Sequence, residues 1–92
     1  MNNAKFEIKD GQLVFRSTGE AIPEDEPVFI LRASDKTALG TLRSYQSSMR
    51  PTTANWKGVQ SVMNDFVVFH VTYPGRMKPP DEAYSSKQKG DK

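Results

Sequence analysis

Residues 54–73 read ANWKGVQSVMNDFVVFHVTY, and this stretch decides the fold. Its large apolar and aromatic side chains recur at steps of three and four, at Trp56, Val59, Met63, Phe66, His70 and Tyr73. That spacing places them on one face of a helix. Thr52 or Thr53 can cap the start, and Pro74-Gly75 stops the helix. The pattern predicts an amphipathic helix of about five turns.

A second interpretation of the same stretch stays open. Residues 66–73 are rich in β-branched and aromatic side chains, which favour strands. A helix that stops at Asn64 and a strand that begins at Phe66 is therefore the alternative.

Residues 35–49, upstream, also have helical spacing, carried by Ala38, Leu42, Tyr45 and Met49. Ser34 and Asp35 offer N-cap oxygens, and Pro51 follows the predicted end. Gly40 costs about 1 kcal/mol relative to alanine inside a helix, so we expect close packing there.

The N-terminal residues predict a small antiparallel sheet. Residues 4–17 contain two short alternating runs separated by Asp10-Gly11, a pair that suits a tight hairpin turn. Residues 17–27 carry two prolines and an acidic cluster at 24–26, which predicts an irregular loop. Residues 28–31, VFIL, predict a buried third strand.

These elements together predict an α+β fold, in which a hairpin and a third strand pack against two amphipathic helices. The 92-residue chain is short enough for one domain, which we place at residues 1–78. Residues 79–92 are polar, and we expect a disordered tail.

Composition narrows the function further. The chain has no cysteine, which excludes disulfides and thiolate chemistry and favours the cytoplasm. The first ten residues lack an apolar core, so we expect no signal peptide, and no apolar run is long enough for a membrane span. Residues 1–31 carry three basic and six acidic side chains, whereas residues 32–78 carry seven basic and two acidic ones.

No catalytic constellation is evident in the sequence. His70 is the single histidine, the acidic cluster at 24–26 lies in a proline-flanked loop, and neither glycine-rich phosphate motif is present. We therefore expect a protein that is not an enzyme and needs neither a cofactor nor a metal ion.

The basic side chains are the candidate site. Arg32 and Lys36 flank the predicted start of the first helix, where free N–H groups favour an anion. Asp35 competes with such an anion, so a cap paired with Arg32 is the structural alternative. The predicted anion-binding residues are Arg32, Lys36, Arg43, Arg76 and Lys78.

Two segments, EPVFILRASDK at 26–36 and YPGRMKPPD at 73–81, are similar to segments of small uncharacterised proteins of tailed bacteriophages and prophages. The resemblance implies a strand–helix–helix core and a host-cell cytoplasm. It transfers no activity, although phages encode many small non-enzymatic proteins that counter host defences, some by capturing nucleotide signals or masking host machinery.

The leading hypothesis is a small, non-enzymatic counter-defence protein, homo-oligomeric, that captures a nucleotide-like anion or a host protein. The alternatives are a nucleic-acid-binding accessory protein, which is less favoured because residues 28–31 lack polar base-reading side chains, and a virion-assembly accessory.

Overall fold

The computed structural model describes residues 5–85. The chain divides into two compact units, Met1–Ile30 and Leu31–Lys92. The first contains a β-hairpin and the second contains the helices. The secondary structure is therefore α+β, as predicted, whereas the single domain and the packing of the sheet on the helices stay predictions.

The hairpin consists of β1 (Phe6–Lys9) and β2 (Gln12–Phe15), which pair antiparallel with Phe6 opposite Phe15. Asp10 and Gly11 have φ angles of 53° and 78°, the left-handed geometry that a two-residue turn requires. The ring centroids of Phe6 and Phe15 lie 4.9 Å apart at the open end. The predicted hairpin is confirmed.

Residues 19–22 fold back onto β2. Ala21 forms an antiparallel bridge with Val14, the Ile22 N–H donates to the Leu13 carbonyl at 2.9 Å, and the Phe15 N–H donates to the Glu20 carbonyl at 2.8 Å. Val14, only 3% exposed, is the buried hydrophobic side chain of described residues 5–30.

The third strand predicted at 28–31 is absent from the described chain, where the sheet has two strands. Val28, Phe29 and Ile30 are 55%, 79% and 64% exposed. Residues 20–22 already bond to the edge of β2 that faces away from β1. Residues 28–31 have strand propensity, but that edge of β2 is not free to pair with them.

Both predicted helices are present. The first, α1, spans Ala38–Ser47, and its Thr37 N–H donates to Asp35 Oδ1 at 2.8 Å. The second, α2, spans Ala54–Thr72 without interruption, which removes the alternative of a strand from Phe66. Thr53 Oγ1 caps α2 by accepting from the Trp56 N–H at 3.2 Å.

The core of the helical unit is thin. Its buried hydrophobic side chains among the described residues are Ala38, Met63, Phe66 and Ala83. Gln46 is also buried, and its Nε2 donates to the Trp56 carbonyl at 3.2 Å and to Gln60 Oε1 at 3.0 Å.

The predicted inward stripes are only partly inward. Tyr45 and Tyr73 are 53% and 47% exposed, and His70 is exposed as well. The expected close packing at Gly40 is wrong, because a Cβ there meets no atom within 4 Å. The small core therefore buries only some of the apolar side chains on the predicted faces of α1 and α2.

The first part of the predicted tail, residues 79–85, contains regular secondary structure. A 3₁₀ turn at Pro74–Arg76 follows α2, and a short helix, α3, spans Pro80–Ala83. Ala83 is fully buried. The remainder of the predicted tail, 86–92, lies outside the described residues.

Candidate anion-binding surface

A backbone bridge brings two of the predicted cations together. Lys78 pairs in parallel with Asp35: its N–H donates to the Ser34 carbonyl at 2.8 Å, and its carbonyl accepts from the Lys36 N–H at 2.9 Å. Lys36 and Lys78, far apart in sequence, therefore occupy neighbouring backbone positions, and both residues are exposed.

Arg32 is anchored by the C-terminal residues. Its N–H donates to the Tyr84 hydroxyl at 2.9 Å, and its Nη1 donates to the Ala83 carbonyl. A guanidinium carries five N–H donors, so most of the Arg32 donors remain for another acceptor. We call the arrangement of Arg32, Asp35, Lys78, Ala83 and Tyr84 the clasp.

Asp35 lies at the centre of the clasp and is only 4% exposed. Its Oδ1 accepts from the Thr37 N–H at 2.8 Å and from the Thr37 hydroxyl at 2.7 Å, and the Tyr84 hydroxyl donates to the same carboxylate. Burial raises the pKa of this carboxyl, but the three hydrogen bonds outweigh it, so the net pKa lies below its ordinary value.

The pKa of Tyr84 is shifted in the opposite direction, above its ordinary value. Burial raises the pKa of its hydroxyl, and the hydrogen bond to Asp35 and the Asp35 charge raise it further, against a lowering contribution from the Arg32 N–H and charge. The phenol therefore stays protonated and bridges Arg32 to Asp35. The sequence predicted either an anion site or an Asp35 cap paired directly with Arg32, and neither prediction included Tyr84 between the two residues.

The buried Asp35 charge changes the prediction for the start of α1. Asp35 accepts the Thr37 N–H next to the helix, so a carboxylate occupies the position where an anion was expected. An anion bound by Lys36, Arg32 and the helix amides would therefore have the Asp35 carboxylate as a competitor. Ser34 is 8% exposed, and its hydroxyl has no partner among the described residues.

Arg76 has a structural role of its own. Its guanidinium carbon lies 4.8 Å from the ring centroid of Phe69 and 4.8 Å from that of Tyr73. These cation–π contacts hold the 3₁₀ turn against the end of α2. Arg43, in contrast, is an exposed residue of α1.

Basic side chains outnumber acidic ones in the described part of the helical unit. Described residues 31–85 contain seven basic and four acidic side chains. Within residues 5–85, the ion pair found is Arg16 with Glu7 at 3.8 Å, which belongs to the hairpin. The basic residues of this part that have no carboxylate within ion-pair distance among residues 5–85 are Arg32, Lys36, Arg43, Arg50, Lys57, Arg76 and Lys78.

Sequence reasoning missed Tyr84 and Ala83, which it assigned to a disordered tail. Pro79-Pro80-Asp81-Glu82 nevertheless carries a helix-start signal, with proline at the first helical position and acidic residues in the first turn. Tyr84, the aromatic residue that follows this signal, was the available indication that the segment packs against the rest of the helical unit.

The part of the chain that the structure describes has no group of three or more His, Cys, Asp or Glu residues arranged to hold a metal ion. None of its helices is both long and apolar enough to cross a membrane. No family model matches the chain, and no match was found among curated proteins or solved structures.

Proposed function

We propose that this chain is a small, non-enzymatic binding protein that captures an anionic partner on the cationic surface of residues 31–85. The observation that carries the proposal is the set of seven basic side chains in that unit without a carboxylate at ion-pair distance among the described residues. Unpaired surface cations raise the local concentration of anions and accelerate their association.

The five proposed contact residues differ in their contacts within the chain, and we assign them different roles for that reason. Lys36, Lys78 and Arg43 are exposed and have no intramolecular side-chain partner in the described chain, so they contact the partner directly. Arg32 and Arg76 are held by the Ala83 carbonyl and by two aromatic rings, so they contribute mainly charge.

The resemblance to phage proteins supplies the biological context of the proposal. In the cytoplasm of a bacterial host, a cationic capture protein would act against a defence system, by binding either a nucleotide-like signal or an acidic surface of a host protein. An accessory role in virion assembly is the other use of the same surface.

The test is calorimetry of the full chain with ATP and with a cyclic dinucleotide at low salt. We expect binding that weakens as salt rises and that falls at least about tenfold in the double variant Lys36→Gln/Lys78→Gln, because two charge-assisted contacts are lost. Lys9→Gln, on exposed β1, is the control and keeps the affinity. Binding that is equal in both variants contradicts the assigned residues.

Absence of binding to either nucleotide leaves the acidic protein surface to be tested with polyglutamate as probe. If polyglutamate also fails to bind at low salt, the proposed function is wrong.

Nucleic acid is the second candidate, favoured by the same unpaired cations. A gel shift with random duplex DNA distinguishes it, because phosphate-backbone binding weakens steeply between about 50 and 200 mM salt. The apolar side chains at 28–30 are exposed rather than buried, but they offer no hydrogen bonds to base edges.

A further inference from the structure

The end of α2 carries two aromatic side chains and an arginine in mutual contact. The ring centroids of Phe69 and Tyr73 lie 5.3 Å apart, and the Tyr73 N–H donates to the Phe69 carbonyl at 2.8 Å, so the last turn of the helix fixes their spacing. The Arg76 guanidinium carbon lies 4.8 Å from both centroids. We call these three residues the aromatic platform.

The aromatic platform is open to solvent. Tyr73 is 47% exposed, Phe69 is half-buried and Arg76 is exposed. Within residues 5–85, the Arg76 guanidinium donates no hydrogen bond and has no carboxylate at ion-pair distance. Exposed aromatic rings stack nucleobases because every base has a π face, and an arginine adds a cation–π contribution. The platform therefore has the chemistry of a base-stacking surface.

Two exposed lysines lie close to the platform along the backbone. Met77 has an extended backbone, with φ −74° and ψ 135°. Side chains alternate along an extended backbone, so Arg76 and Lys78 lie on one side of it and the half-buried Met77 lies on the other. Two residues of extended chain span about 7 Å at most. Lys36 joins them, because its N–H donates to the Lys78 carbonyl at 2.9 Å.

A ligand with a flat π system beside an anionic group matches both parts of this surface. Nucleotides have that chemistry, since only a ribose separates the base from the phosphates. We propose that the aromatic platform stacks the base of a nucleotide whose phosphates bind Lys78 and Lys36. The inference rests on the proposed anion binding and narrows the partner to one ligand class, because an acidic protein surface would make no use of the platform.

Calorimetry of the full chain with ATP and with inorganic triphosphate, both at low salt, separates stacking from charge. Triphosphate presents the same phosphates without a base, so charge alone gives ATP no advantage. We expect ATP to bind about five- to a hundredfold more tightly, the range that stacking of one base supplies.

Tyr73→Leu tests the position of the base, because it keeps an apolar side chain and removes the π face. We expect this variant to lose the preference for ATP and to bind triphosphate as the parent chain does. Tyr45→Leu is the matched control, since Tyr45 is 53% exposed on α1. Its neighbour Gln46 bonds to the Trp56 carbonyl, about 25 Å along α2 from Tyr73, so the control should keep the preference.

Saturation-transfer NMR of the parent chain gives a second measurement that needs no variant to fold. When the protein is saturated, the adenine protons of ATP should lose more intensity than its ribose protons, because the base lies against the rings. Circular dichroism controls for the fold of Tyr73→Leu.

Three results would overturn the inference while leaving anion capture intact: equal affinities for ATP and triphosphate, an ATP preference that survives Tyr73→Leu, or a preference lost in Tyr45→Leu instead. The last of these would move the base to the opposite end of α2. If neither ATP nor triphosphate binds, the inference is also wrong, and polyglutamate then decides the proposed function separately.

Discussion

The hairpin unit and the helical unit are stabilised over different distances along the chain. In the hairpin, a turn of two residues fixes the register, and segment 19–22 supplies the next backbone contacts. In the helical unit, the backbone on either side of Asp35 bonds to Lys78, and the Asp35 carboxylate accepts from the Tyr84 hydroxyl. Local chemistry thus suffices for one unit, whereas the other depends on contacts between distant positions.

The largest effect is expected in the core of the helical unit. Phe66 is 8% exposed on α2, and Phe66→Ala should lower the free energy of unfolding by about 3–5 kcal/mol, because it removes burial and leaves a cavity. Urea unfolding followed by circular dichroism measures the change. Val68→Ala, 63% exposed on the same helix, should change stability by less than about 0.5 kcal/mol. Equal losses would show that the thin core is not where stability resides.

The second-largest loss of stability is expected from a substitution in the clasp. Tyr84→Phe removes the hydroxyl that accepts from Arg32 and donates to the buried Asp35, which should cost about 1–3 kcal/mol. Tyr45→Phe on α1 is the control, since Tyr45 is 53% exposed. An unchanged midpoint for Tyr84→Phe would mean that the long-range contact adds nothing to the helical unit.

The pH dependence of stability should report the same contact. The folded pKa of Asp35 lies below its unfolded value, so its contribution is present above the unfolded pKa of about 3.9 and is lost as pH falls through the lower folded pKa. Asp35→Asn should flatten the acid limb of the stability profile. Thermal unfolding between pH 2 and 6 measures it, and an acid limb that is the same in both proteins would contradict the prediction.

The smallest effects should have opposite signs in the two units. Gly11 and Gly40 both lie in open space, so backbone conformation alone decides what an alanine does. Gly11 has a φ of 78°, and Gly11→Ala should cost about 1 kcal/mol, whereas Gly40→Ala inside α1 should add about 1 kcal/mol.

Amide hydrogen exchange of β1 and β2 measures the change in hairpin stability in the Gly11→Ala variant. Urea unfolding measures the change in the free energy of unfolding in the Gly40→Ala variant. Destabilisation by Gly40→Ala would point to a contact that the packing of α1 does not show.

The elements that sequence predicted well are those that local chemistry specifies. Asp10-Gly11 requires positive φ angles, Thr53 caps α2, and Pro74 ends it. The missed elements depend on partners: the run at 28–31 needs an unoccupied sheet edge, and Tyr84 needs the corner formed by Arg32 and Asp35. No spacing rule encodes either partner.

The candidate anion-binding surface was likewise predictable only in part. Sequence identified the excess of basic side chains in 32–78, and that excess is unpaired in the described structure. It offered Asp35 as a cap at the start of α1, but it could not foresee that Arg76 lies over the rings of Phe69 and Tyr73. Charge can be counted from a sequence, whereas the neighbours of each charge are set by tertiary packing.

The bridge between Asp35 and Lys78 closes a loop that contains both long helices. Closing a long loop has an entropic cost that the helices, with their local hydrogen bonds, do not share. Pairing of α1 with α2 closes a far shorter loop, as between Gln46 and Trp56, so it has a lower entropic cost than the bridge that brings Lys78 to Asp35.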